Sequence, residues 1–231
     1  MTVGIIGAME IEVEDLKSLM DNAQITEIST VKFYCGKIKG VECVVAKAGV
    51  GKVNAAVCTQ TMILKYFPDV IINVGVAGSL SQNLKTGDVA VAQRVVEHDM
   101  NTTPLGDEAG FITGLDTVYI DCDGNISDKL YNAAVRAGDF NVEKGVIASG
   151  DQFIASQEQR DEIIGKFGAI AAEMEGASIG HVCSMAGVPF GVIRAISDGA
   201  DGDSSMDFPM FAKMAADISV KIILDLLEDL K

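Results

Sequence analysis

The 231-residue sequence predicts an α/β layered domain around a largely buried sheet, on three observations. Short β-rich runs alternate with helix-period runs from one end to the other, apolar residues (48 % of the chain) are spread along the whole length, and no Pro/Ser-rich or charge-run linker interrupts them. A chain of this size can bury a substantial core, so residues 1–231 are expected to form one domain.

Val3 to Ile6 reads as the first strand. The helix after it carries Met9, Val13, Leu16 and Met20 on one face, spaced i, i+4, i+7 and i+11, and opens with an acidic turn. Val31 to Ile38 and Val41 to Ala46 form a strand pair joined through Lys39-Gly40. Ala48-Gly49-Val50-Gly51 leads into a helix reaching about Tyr66, with Val53, Ala56, Val57, Gln60, Ile63 and Leu64 expected inside and Pro68 closing it. Val70 to Val74 is a buried strand, and Val89 to Val91 and Val95 to His98 are two more runs. Asn101 to Leu115 is a long Gly/Thr/Asp-rich loop, of a length that is often functional. Ser127 is placed to cap a helix to Ala137, Val142 to Ser149 is a strand, and Gln157 to Phe167 returns to helical spacing. Ala169 to Ala172 is a brief strand and Gly176 to Ala186 a helix stopped by Gly187. Pro189 to Ile196 is a strand, and Pro209 to Leu230 a final helix with Phe211, Met214, Ala215, Ile218 and Ile222 on its apolar face.

Composition removes several function classes. A formal charge of −15, with no basic run, repels phosphate backbones, so nucleic acid is not expected as a partner. No apolar stretch is long enough to span a membrane, and the start has no basic segment followed by a long apolar one, so a cytoplasmic protein is expected. Five cysteines without C-x-x-C spacing suit buried thiols rather than disulfides or zinc. His98 and His181 are the two histidines, and neither adjoins a Ser or Cys nucleophile motif. No metal or cofactor is expected; Gly4-Ile5-Ile6-Gly7 and Gly49-Val50-Gly51-Lys52-Val53-Asn54 both depart from the dinucleotide fingerprint.

Five strand-end motifs carry the candidate chemistry. Gly4-Ile5-Ile6-Gly7-Ala8-Met9-Glu10-Ile11-Glu12 ends a strand in small residues before an acidic turn, although the helix macrodipole alone favours carboxylates there. Ile71-Ile72-Asn73-Val74-Gly75-Val76-Ala77-Gly78-Ser79 would let a ligand lie against the main chain. Ser149-Gly150-Asp151-Gln152-Phe153-Ile154 offers an aromatic face beyond a turn, for a flat heterocycle or for the core. Ala172-Glu173-Met174-Glu175-Gly176-Ala177 puts two acids at the head of an apolar helix, where burial is costly unless they bind something. Ile193-Arg194-Ala195-Ile196-Ser197-Asp198 ends an apolar strand with an ion pair or cap as the competing reading. Glu12, Glu175 and Asp198 thus close separate elements and could converge. N-glycosidic cleavage needs such a set, because C1' gains oxocarbenium character, the base gains negative charge and water must be deprotonated.

Together these motifs resemble the methylthioadenosine/S-adenosylhomocysteine nucleosidases of the nucleoside phosphorylase superfamily, over nearly the whole chain. The resemblance implies a three-layer α/β/α sandwich around a mixed sheet, a nucleoside substrate, no cofactor and a homodimer. It implies Glu12 as base for water, Asp198 as acid toward adenine N7, Ser197 as support of Asp198, and Glu175, with Glu173 and Met174 beside it, at the ribose. Phe153 would stack on adenine while the Ile154 backbone reads its edge, Arg194 would order groups around the water, Phe208 would cover the sugar, and Ala8, Val76, Ala77 and Gly78 would line the pocket. Val76 stands where Ser is common, and the His98 to Gly106 loop departs from the family's D-V-T-A-F. In the family this loop meets the 5' substituent in the neighbouring subunit, which would fall here to Thr102, Leu105 and Thr113. A purine nucleoside phosphorylase, a hydrolase of another 5'-modified adenosine such as aminodeoxyfutalosine, and a non-catalytic nucleoside-binding module are the competing readings.

Overall fold

A computed structural model describes residues 1–198 and 208–231, with the backbone alone at 208–210 and 212. The chain begins β1 (Thr2–Gly7), α1 (Glu10–Ser18), β2 (Asp21–Ile28), β3 (Val31–Ile38), β4 (Val41–Lys47), α2 (Lys52–Tyr66) and β5 (Val70–Ser79). It continues β6 (Val89–Glu97), a 3₁₀ turn at Thr103–Leu105, β7 (Tyr119–Asp121), α3 (Gly124–Ala137), β8 (Val142–Ser149) and α4 (Gln157–Phe167). β9 (Ala169–Glu173), α5 (Gly176–Ala186), β10 (Phe190–Asp198) and α6 (Phe208–Glu228) complete it.

The strands form one mixed sheet. β1 lies between β4 and β5, parallel to both, and β3 and β2 extend the sheet antiparallel beyond β4. On the other side β5 pairs with β10, β10 with β6, β6 with β8, β8 with β9, and β9 with β5 again, so five strands close into a ring. Alternate strand residues feed opposite helical layers: Ile5 and Ile72 pack with Leu16 of α1, Leu130 of α3 and Ile222 of α6, whereas Ile6 and Ile71 pack with Met62 of α2 and Ile179 of α5. Burial on both faces is why these strands read as continuous apolar runs. The parallel strands β1, β5 and β10 deliver their C-terminal ends to the same edge, where ligands of α/β sheets collect.

Several sequence expectations change. β2 was not expected, because it is an exposed edge strand with almost no buried residue to set a period. β6 is one strand with an irregularity between Ala92 and Arg94, and this interruption makes it read as two runs. β5 runs on through the small residues to Ser79. The cap of α3 is Asp123, whose side chain accepts the Ile126 N–H, while Ser127 is buried and donates to the Ala92 carbonyl. In α2 the buried residues are Ala55, Cys58, Thr59 and Met62; Val53 is 73 % and Leu64 65 % exposed. Four of the cysteines are buried thiols and Cys35 is half-buried. Among the described residues no helix is long and apolar enough to cross a membrane.

Candidate active site

Glu12 sits in the first turn of α1, and its side chain folds back over the helix start. Oε2 accepts the N–H groups of Ala8 (2.7 Å) and Met9 (2.8 Å), and Oε1 accepts that of Val76 at the end of β5 (3.1 Å). The carboxylate satisfies donors that the helix start leaves open, as the acidic-turn reading requires, and it is also tied to β5. The residue is 3 % exposed. Burial pushes its pKa above the ordinary carboxylate value, against the Met9 N–H and the Arg194 charge, which stabilise the anion.

Asp198 ends β10. Its Oδ1 accepts the Ser197 hydroxyl at 2.9 Å, and its Oδ2 lies 3.6 Å from the guanidinium of Arg160, a buried residue of α4. Burial raises its pKa, with Ser197 and then Arg160 drawing it back. Ser197, the residue before it, is itself buried, 2 % exposed.

Glu175 lies between β9 and α5 and is held by the Gly51 N–H, which donates to Oε1 at 2.8 Å. Burial and the neighbouring Glu173 push it up to about 7. Glu173 has a different setting. Its oxygens accept the Ser149 hydroxyl, the N–H groups of Glu175 (3.0 Å) and Gly176 (2.8 and 3.0 Å), and the Arg194 guanidinium. Arg194 also donates to Asn73, whose amide donates to the Ile6 carbonyl at 2.9 Å. Glu173 and Arg194 form a buried brace, 7 % and 1 % exposed, joining β9, β10, β5 and β1 beneath the three other acids.

These groups surround one cavity of about 240 Å³. Ala8, Met9 and Glu12 form one wall, Val76, Ala77 and Gly78 the floor, and Phe153 and Ile154 a third side. Met174 and Glu175 face them with Glu173, and Ser197 and Asp198 close the end. Arg194 is absent from the lining; it acts from below, through Glu173, Asn73 and its charge near Glu12. Phe153 is 57 % exposed at the rim. The Phe208 side chain lies outside the described residues. Thr102, Leu105 and Thr113 are not among the described residues that line this cavity; Leu105 ends the 3₁₀ turn and is 83 % exposed. Sequence reasoning missed Arg160, which lines the cavity but as a single Arg on a helix leaves no motif, and Asn73, whose signal was a polar residue inside an apolar strand. It also missed Ser149, the polar end of β8, which donates to Glu173.

A pocket with four buried acids, an aromatic rim and main-chain edges suits a neutral sugar joined to a flat base. Comparison with known proteins decides the class. The Phosphorylase superfamily model matches residues 2–228. A 5'-methylthioadenosine/S-adenosylhomocysteine nucleosidase from an Exiguobacterium species is 40 % identical over 97 % of this chain and 96 % of its own. The chain belongs to this nucleosidase family. The nucleosidase from Neisseria meningitidis, solved in complex with methylthio-immucillin-A, superposes with a TM-score of 0.94 at 37 % identity, covering 99 % of both chains. A futalosine hydrolase from Helicobacter pylori superposes at 0.93 with 33 % identity, covering 99 % of this chain and 97 % of its own. The nucleosidase fold is therefore the mixed sheet between helices that the motifs imply.

Proposed function

We propose that this protein hydrolyses the N-glycosidic bond of 5'-methylthioadenosine and S-adenosylhomocysteine, releasing adenine. The observation that carries the reading is Glu12: a buried carboxylate with raised pKa, fixed by three main-chain donors at the wall of a cavity that also holds Asp198. Such a group takes the proton of an attacking water. Asp198 delivers a proton to adenine N7 as the base departs, so that the leaving group does not carry the full charge of the breaking bond. Glu175 accepts the ribose hydroxyls and holds C1' between the two. Phe153 stacks on the base, and the Ile154 main chain reads its edge. Arg194 holds this frame in register through Glu173 and Asn73.

A phosphorylase would need a cation for phosphate. Gly49-Val50-Gly51-Lys52 offers one lysine, and its ammonium binds Asp99 at 2.7 Å and Glu97 at 3.1 Å. Water fits the Glu12 wall better than an anion does.

The protein acts as a homodimer in the cytoplasm. Val50, at the cavity wall, and Val53 and Val57, one helical turn apart on α2, are apolar side chains each more than 40 % exposed, which a partner subunit would cover. The partner's Thr102, Leu105 and Thr113 loop completes the 5' side in this reading. Similarity to a futalosine hydrolase makes aminodeoxyfutalosine a second candidate substrate.

The test is chromatographic: purified protein in phosphate-free buffer should release adenine and a reducing 5-methylthioribose without added metal or nicotinamide. Strict phosphate dependence with a ribose 1-phosphate product would sink the hydrolase reading, and turnover of aminodeoxyfutalosine alone would replace the substrate.

A further inference from the structure

Arg160 is a large charged side chain buried to 2 % exposure, on a helix that none of the strand-end motifs includes. α4 begins directly after the base-facing loop, and its start is fixed. The Ser156 hydroxyl accepts the Gln159 N–H at 3.2 Å, and the Arg160 N–H donates to the Ser156 carbonyl at 3.2 Å. From there the guanidinium reaches the end of the cavity that Phe153, Ile154 and Asp198 share, and stands 3.6 Å from Asp198 Oδ2. The second oxygen of Asp198 is held by Ser197. The other acids of the cavity, Glu12, Glu173 and Glu175, have their own partners on β1–α1, β5, α5 and the Gly51 loop.

We infer that Arg160 is the residue that makes Asp198 a competent proton donor to the departing base. The inference rests on the proposed role of Asp198. When its proton moves to N7, the N7–H bond forms, the O–H bond breaks, and the electron pair left on Oδ creates a carboxylate in a dry pocket. Burial opposes that charge, and a permanent guanidinium at 3.6 Å offsets the opposition at the atom where it appears. A lysine could supply the charge, though not the planar fork, so Arg160→Lys should retain part of the effect.

Two consequences of opposite sign identify such a residue. Asp198 must be protonated to react, so turnover declines as pH rises through its pKa. Removing the neighbouring cation makes Asp198 a weaker acid. The low-pH plateau of kcat should then fall, by about tenfold in Arg160→Met, while the alkaline limb moves up by about one unit. The two profiles should converge at high pH. Profiles of kcat for adenine release by wild type, Arg160→Met and Arg160→Lys test this, with thermal unfolding as the check on folding; Arg160→Gln replaces Arg160→Met if that variant does not fold. A lower plateau with the limb raised, partly reversed by Lys, supports the inference. A uniform loss with the limb unmoved, or no loss, overturns it. Failure of wild type itself to release adenine without phosphate would count against the proposed function instead.

Discussion

Gly75 leaves room for Glu12: a Cβ built at position 75 would stand 2.7 Å from Oε1 of the carboxylate. Gly78, three residues on, does the same for Asp198, where a Cβ would lie 3.0 Å from Oδ2. One strand therefore accommodates both acids by omitting side chains at two positions, neither of which needs a left-handed backbone. Gly75→Ala should displace Glu12 from the Val76 N–H and lower kcat by about tenfold or more, with a folded protein. Gly165→Ala is the control. That glycine is inside α4 with open space where its Cβ would go, and the change should stabilise by about 0.5–1 kcal/mol in urea titration without altering kcat.

Glu12→Gln and Asp198→Asn should each lose about 10²- to 10⁴-fold in turnover, since each removes one proton transfer, and binding of adenine should suffer less. Steady-state kinetics with calorimetric titration of adenine would show it. Near-normal turnover in either folded variant would remove that residue from its assigned role.

Glu175 makes stability depend on pH. Its pKa is 4.5 in an ordinary setting and about 7 in the folded chain. Between those values the folded protein keeps a proton that the unfolded chain has released, so stability falls as pH rises through this window and stays lower above it. Glu175→Gln removes the penalty. The variant should gain about 1–3 kcal/mol over wild type at pH 8 and much less at pH 5, by urea unfolding of the ligand-free protein. Its KM for methylthioadenosine should rise and its kcat fall, because the ribose contact serves both binding and alignment.

Leu105 tests the dimer. If the partner's loop closes the 5' pocket, its side chain gives apolar contact and no aromatic ring for a thioether sulfur. Sulfur–aromatic contacts are worth about 0.3–1.5 kcal/mol, so 5'-deoxyadenosine should compete with methylthioadenosine within about tenfold. Leu105→Phe should move the ratio of specificity constants toward methylthioadenosine. An unchanged ratio places the loop outside the pocket. Val53→Glu should shift the protein toward monomer in sedimentation velocity and lower its turnover with it.

What the sequence made legible was the set of strand ends. Small residues at Ala77 and Gly78 and acids at 12, 175 and 198 stand at the ends of separate elements, and all of them line the cavity. The resemblance to a known family extended that reading to the fold, which the comparisons bear out. Helix faces were less legible. α2 buries Ala55, Cys58 and Thr59, residues of middling hydropathy, and exposes Val53 and Leu64, so apolar periodicity pointed to the wrong side. The supporting polar groups were invisible for another reason. Asn73, Ser149 and Arg160 act through partners distant in the chain, and neither period nor spacing encodes such contacts.

Glu12 is gripped by main-chain amides of residues 8, 9 and 76 rather than by their side chains. Every residue except proline brings that donor, so a change of side chain at those three positions leaves the grip on Glu12 in place. Valine at position 76 illustrates the division: its N–H holds the carboxylate, and its side chain makes no part of that bond. Substitution at these sites should therefore reshape the lining of the pocket far more readily than it displaces the Glu12 carboxylate.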